Sequence, residues 1–319
     1  MAYDRIGMNA HDNAPDVSIV VPVYRSAEVL DALVARIFAA LPDRSVEVVL
    51  VNDNSPDSSW QVMRELSRAD PRVRSIDLLT NHGQAVATMC GLSYSRAQIV
   101  VTIDDDFEHP PEEIPKLLSA LASDPELDAV VGTWERDRSL FRNLGSYIYE
   151  ALDRAAWKTP KGFRHSAFRA IRRPAVDALL SHQTQRPRLS PLLLEVAGRV
   201  VNVEVDHTDR TEGSSGFHFR DSVNIATTHF IYGSTLPLRL LARFGSFMAA
   251  ASLAFGAVLI LRTLFGTERP VGWLSVFVAV IFFGGMSLFG IGMLGRYIAV
   301  IITEVRRSPR WTVRETFPE

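Results

Sequence analysis

Residues 244–294 form a run of 51 positions with only three charged side chains, Arg262, Glu268 and Arg269, whereas the other 268 positions carry 67. A stretch so poor in charge cannot form the surface of a water-soluble domain, so the chain reads as a soluble module plus a membrane module. Within it, residues 244–261 give 18 uncharged positions and 271–295 give 25. As helices at about 1.5 Å per residue these would span roughly 27 and 37 Å, and each can cross a bilayer. The alternative, buried helices of a soluble core, requires charge-free runs of a length rare in such domains. Residues 262–270 then form a short turn. Arg239, Arg243, Arg296, Arg306, Arg307 and Arg310 flank the outer sides of the pair, against Arg262 and Arg269 near the turn. By the positive-inside rule both ends, and both termini, are expected on the cytoplasmic side. Residues 221–243 read as a juxtamembrane amphipathic segment, broken at Pro237 and suited to lie at a membrane surface. Residues 296–319 follow as a cytoplasmic tail. Gly245 with Ala249, and Ser252 with Gly256, give the first apolar helix small faces for close packing.

Taken whole, the chain is ordinary in composition. At 319 residues, 47% hydrophobic, 22% charged and net charge −2, it falls outside the collagen-like, low-complexity and disordered classes. The near-neutral balance also argues against a nucleic-acid protein, which would carry a strong basic excess. One cysteine, Cys90, excludes a disulfide framework or a cysteine-based zinc site. With no secretory leader at its front, the sequence is expected in a reducing compartment. Residues 1–16 mix polar residues, Gly, Asn and Pro without apolar periodicity and read as a loose arm.

From Val17 onward, short apolar runs at 17–23, 46–51, 73–79, 99–103 and 129–131 alternate with helical patterns near 27–40, 57–68, 83–95 and 112–122. Strands alternating with helices predict βαβ units and a mostly parallel α/β sheet. A further helix is expected over 139–152 and an extended, Arg-rich segment over 163–173. In such a sheet, ligands bind beyond the carboxyl ends of the strands.

Three adjacent carboxylates, Asp104, Asp105 and Asp106, follow the fourth apolar run. Such a cluster repels itself unless a hard divalent cation relieves it, and Mg²⁺ or Mn²⁺ there could also hold a diphosphate. Alternating strand geometry points Asp104 and Asp106 the same way, with Glu108 next in that register. The alternative is a solvated acidic turn capping the helix after Pro110 and Pro111. Asp53 follows the second run within Asn52-Asp53-Asn54-Ser55, where a turn or helix cap is the structural alternative. Pro22-Val23-Tyr24 ends the first. All of these fall on one expected rim.

The segments 17–24 (VSIVVPVY), 51–53 (VND), 81–84 (NHGQ) and 102–115 (TIDDDFEHPPEEIP) resemble family 2 glycosyltransferases of GT-A, Rossmann-like fold. More narrowly, the chain is similar to the polyprenyl-phosphate glycosyltransferases, a likeness that extends to 235–241 (TLPLRLL) and the apolar pair. The resemblance implies that Pro22, Tyr24 and Asp53 hold the nucleotide base and ribose, and that Asn81, Gly83 and Asp105 line the donor cleft. It assigns Asp104 and Asp106, with Glu108, to the metal. Arg210 and Ser215 would close over the phosphates, and Arg136, Arg138, Arg142 and Arg169 would meet an acceptor phosphate. It also implies a homo-oligomer, tetrameric in relatives.

The sequence departs from that pattern in three places. Arg25 and Ser26 stand where relatives often place Glu or Asn, and Gly216 where many place Lys. Phe163 stands where relatives carry an Asp proposed as catalytic. A lipid phosphate with a second pKa near 6 is largely dianionic and needs no general base, which moves the catalytic demand to the leaving group. His165 is the alternative base. The function expected is inverting transfer of a monosaccharide from a nucleotide sugar to a polyprenyl phosphate at the cytoplasmic leaflet. The alternatives are a membrane glycosyltransferase with another lipid or glycan hydroxyl as acceptor, or a catalytically inactive binding protein of the same fold.

Overall fold

The computed structural model describes residues 14–134, 159–160, 162–185, 187–206, 236–265, 272–305 and 309–318. They fall into two compact units, one built on a sheet and including residues 309–318, the other built of two long helices.

The sheet unit begins with β1 (Val17–Val23), α1 (Leu30–Ala40), β2 (Val46–Asn52), α2 (Ser59–Ala69), β3 (Val73–Leu78), α3 (Gln84–Tyr94) and β4 (Ile99–Thr102). After it come α4 (Ile114–Ser123), β5 (Ala129–Thr133), β6 (Arg169–Arg172), α5 (Arg173–Ser181), α6 (Leu189–Val196), β7 (Val200–Glu204) and, at the far end of the chain, β8 (Val313–Phe317). Strand order is β7-β5-β6-β4-β1-β2-β3-β8. β4, β1, β2 and β3 are mutually parallel, β6 runs antiparallel between β4 and β5, and β8 is antiparallel on β3.

The central strands are apolar on both faces because both faces are covered, which is why they read as continuous runs. Ile19, Val21, Val48 and Leu50 pack with Leu33 and Ile37 of α1, Met63 of α2 and Leu117 of α4. Val20, Val49 and Val51 pack with Met89 and Leu92 of α3, Leu179 of α5, Leu193 of α6 and Trp311. Ser18 and Glu47 interrupt the run at the strand starts and satisfy each other: Ser18 Oγ donates to Glu47 Oε1 at 2.5 Å, and Arg96 donates to the same carboxylate through its backbone N at 2.7 Å and Nε at 2.8 Å. Buried polar groups are tolerated when paired in this way.

The strands and helices expected over 17–123 are all present, with bounds shifted by a few residues. The helix expected over 139–152 lies outside the described residues, as does the arm up to residue 13. Of the extended segment over 163–173, only 169–172 is strand.

The helical unit consists of α7 (Leu236–Leu264, 29 residues) and α8 (Trp273–Val305, 33 residues). Within α8, the stretch Phe282–Val305 spans 24 residues and contains an 18-residue window of mean hydropathy 1.7, none of it buried inside the protein. Among the described residues this is the one stretch long and apolar enough to cross a membrane. The structure therefore supports one of the two expected spans, and the region 244–261 lies within α7. Residues 221–235 are outside the described set. Pro237 falls in the first turn of α7 and does not break a helix there, because a first-turn proline removes no intrahelical hydrogen bond.

The segment expected as a tail is also folded. α8 runs on to Val305, and residues 313–317 complete the sheet as β8.

Candidate active site

The carboxyl ends of β1, β2 and β4 and the loop after β3 form one rim, and the chain bends sharply there. Arg25, Asn54 and Phe107, each just beyond the end of a strand, have φ of 60°, 53° and 59°, and they are the positive-φ residues other than glycine among those described. Left-handed backbone at such positions costs free energy that the surroundings must supply, and it gathers at functional sites.

Asp53 is buried and organises the loop after β3. Its carboxylate accepts from the backbone N of His82 and of Gly83, both at 2.7 Å, and its carbonyl accepts from Asn81 Nδ2 at 3.0 Å. Gly83 has φ of 87°, which suits a residue without Cβ, and it opens α3. Asp53, Asn81 and Gly83 are therefore assembled on one another. Pro22 is buried within β1, while Tyr24 stands 44% exposed at its end, with the Arg25 guanidinium 5.3 Å from the ring centroid.

The three adjacent aspartates have different surroundings. β4 ends at Thr102, so the strand alternation that would align Asp104, Asp106 and Glu108 does not reach them. Asp105 is engaged: it accepts from Ser26 Oγ at 2.5 Å and from the Tyr24 backbone N at 3.0 Å. Burial pushes its carboxyl above the usual range, and these hydrogen bonds pull it back. Asp104 accepts from Gln84 Nε2 at 2.6 Å. Burial, then the Asp106 charge, pushes its carboxyl up to about 7, while Arg169 and Gln84 act in the opposite sense.

The pair Asp104 and Asp106 fits a small divalent cation, since two mutually repelling oxygen donors are what such an ion neutralises, and Mg²⁺ completes its shell with water and substrate phosphate. Among the described residues no group of three or more His, Cys, Asp or Glu side chains is placed to hold a metal. Phe107 turns the chain before Glu108, and the Glu108 backbone N donates to Asp106 Oδ1 at 3.1 Å.

Arg169 pairs with Thr102 at the end of β4 and is 6% exposed, with Nη2 donating to Ser190 Oγ at 2.8 Å. Loss of hydration lowers its pKa to about 10, and the nearby Asp104 charge raises it. In this structure it is a buried countercharge to Asp104. Phe163 packs against the core, its ring edge-on to His165 with centroids 5.5 Å apart. Arg136, Arg138, Arg142, Arg210 and Ser215 lie outside the described residues.

Gln84, Ser26, Asp77 and Arg314 also support this rim, and no motif in the sequence marks their part in it. A polar side chain just inside a helix start, as at Gln84, is the kind of signal that could have drawn attention. The others act through contacts across 25 to 260 positions and leave no local pattern.

A sheet covered on both faces with an aspartate rim at its carboxyl ends is the architecture of the GT-A fold. A mannosyltransferase from Pyrobaculum calidifontis, solved with GDP-Man and Mn²⁺, superposes with a TM-score of 0.50 at 17% identity, covering 93% of this chain and 89% of that one. Glucosyl-3-phosphoglycerate synthase from Mycobacterium tuberculosis, solved with UDP, gives 0.50 at 17% identity over 69% of this chain and 78% of that one. The family model described as glycosyl transferase family 2 matches residues 18–180. Relatives from Salmonella paratyphi A and Salmonella dublin, each named undecaprenyl-phosphate 4-deoxy-4-formamido-L-arabinose transferase, are 35% identical over 97% of this chain and 96% of their own length. The chain belongs to glycosyl transferase family 2 and is a glycosyltransferase.

Proposed function

We propose that this enzyme transfers one sugar, with inversion, from a nucleotide-sugar donor to a polyprenyl phosphate at the cytoplasmic face of a membrane. The observation that carries the reading is the likeness along 97% of the chain, apolar helices included, to relatives named for an undecaprenyl-phosphate acceptor. The spans 244–261 and 271–295 would anchor it as a two-helix hairpin, and assembly as a homo-oligomer belongs to the same reading.

On this reading the exposed Tyr24 ring and the loop braced by Asp53 take the nucleoside, and Asn81 and Gly83 line the donor cleft. Asp104 and Asp106 would hold Mg²⁺ or Mn²⁺, which supplies positive charge against the departing nucleoside diphosphate. Arg169 offsets the charge of Asp104. Arg210 and Ser215 serve the leaving phosphates, and Arg136, Arg138 and Arg142 the acceptor phosphate. Phe163 supplies no carboxylate, so the acceptor phosphate attacks on its own charge and the protein's work is electrostatic.

The test is a screen of nucleotide sugars against the purified protein with undecaprenyl phosphate and Mg²⁺ or Mn²⁺. Nucleotide-activated 4-deoxy-4-formamido-L-arabinose comes first, then GDP-mannose and UDP-glucose. A labelled lipid product that requires the phosphate, and is absent with undecaprenol, is expected. Transfer to undecaprenol or to a glycan with none to the phosphate overturns the reading.

A further inference from the structure

The last strand of the chain reaches the donor rim. In the pairing of β3 with β8, Asp77 faces Glu315 and Leu78 faces Val313, so Arg314 is the extra residue of a bulge. Bulges re-aim side chains. The Arg314 guanidinium spans the ends of two strands: Nη1 donates to Asp77 Oδ2 at 2.9 Å, and Nη2 donates to the Leu79 carbonyl at 3.1 Å and to Asn54 Oδ1 at 3.2 Å. The Leu79 backbone N in turn donates to the Thr312 carbonyl at 2.8 Å. Asp77 is fully buried, and its other oxygen accepts from Asn52 Nδ2 at 2.7 Å. Asn52 Oδ1 accepts from the Ser55 backbone N at 3.2 Å, and Ser55 Oγ from the Arg25 backbone N at 3.2 Å. A continuous hydrogen-bonded line therefore runs from β8 across β3 and β2 to the residue beside Tyr24.

We propose that Arg314 is a positioning residue for the nucleoside half of the donor site, which makes the strand after the last long helix part of the active-site framework. Arg314 acts through Asn54, held at positive φ next to Asp53, and through Leu79, which enters the loop carrying Asn81 and Gly83. The planar fork of arginine serves three acceptors at once; a lysine could neutralise Asp77 but could not hold both loops. The proposal rests on the reading that a nucleotide sugar binds this rim.

The experiment uses the full-length protein in lipid nanodiscs, titrated calorimetrically with UDP, GDP, ADP and CDP in Mn²⁺ and assayed for the KM of donor and of acceptor. Arg314→Lys is expected to weaken binding of the preferred nucleoside diphosphate at least about tenfold and to raise donor KM by a similar factor, with acceptor KM unchanged. Arg314→Ala is expected to do the same or more, and the lysine variant decides the matter if the alanine variant does not fold. A merely structural role lowers the active fraction and the melting temperature and leaves both KM values alone, and that result overturns the proposal. Wild-type protein that binds none of the four nucleotides overturns the donor reading itself. Wild-type binding matched by the lysine variant overturns only the role of Arg314.

Discussion

At the end of β4, three neighbouring carboxylates divide the work by what touches them. Asp105 is already taken by Ser26 and the Tyr24 backbone, so it ties the β1 end to the β4 end. Asp104 is pushed up to about 7 by burial and Asp106, the condition a bound cation would reverse. Asp104→Asn and Asp106→Asn are therefore expected to lower kcat/KM by about 10²-fold or more, as loss of leaving-group stabilisation does. Asp105→Asn should act mainly on donor KM. Chelator should abolish turnover, and Mg²⁺ or Mn²⁺ should restore it. Steady-state kinetics with circular dichroism of each variant checks the set, and undiminished turnover in chelator sinks the metal assignment.

Elements meet the sheet at distances set by single residues. A Cβ at Gly91 of α3 would stand 2.3 Å from Val20 Cγ1 of β1 and 3.1 Å from Val51 Cγ2 of β2, so α3 lies flush on the strands because this position has no side chain. Gly91→Ala is expected to cost about 1–3 kcal/mol through overpacking, seen as a lowered melting temperature. An unchanged melting temperature would contradict that packing. β8 is held differently, by charge. Burial holds the Asp77 carboxyl above its ordinary value while Asn52 and Arg314 pull it down. A carboxyl raised in the folded state weakens folding as pH climbs from its unfolded to its folded value, and Arg314→Ala raises that upper value further. The variant's stability deficit should thus be widest near neutral pH and narrow toward acid. Thermal melts of variant and wild type between pH 8 and pH 5 measure it, and a gap independent of pH rules out the charge mechanism.

For the whole molecule, the arginines outside the two apolar segments predict that the sheet unit, β8 included, lies on the cytoplasmic side of the membrane. A cysteine placed at Thr267 should react with an impermeant thiol reagent added outside intact cells, and one placed at Thr312 should not. The native thiol will not interfere, because Cys90 is buried and burial pushes it up to about 12. The reverse labelling pattern overturns the topology.

Local chemistry determined what the sequence alone could disclose: the apolar runs of β1 to β5, the helices between them, the charge-poor helices, and Asp53 and Asp104 to Asp106 just past strand ends. Each follows from neighbouring residues, through propensity, periodicity or the need to neutralise adjacent charges. Only the tertiary structure decided that Arg169 is buried as a countercharge to Asp104, that Asp53 braces the loop 81–83, and that the chain turns through positive φ at Phe107, before Glu108. It also decided that Val313–Phe317 is a strand, since so short and charged a segment has no stable local structure and takes its order from the free edge of β3. Contacts of that kind join residues far apart in the chain, where nothing in the local pattern of either partner announces the other.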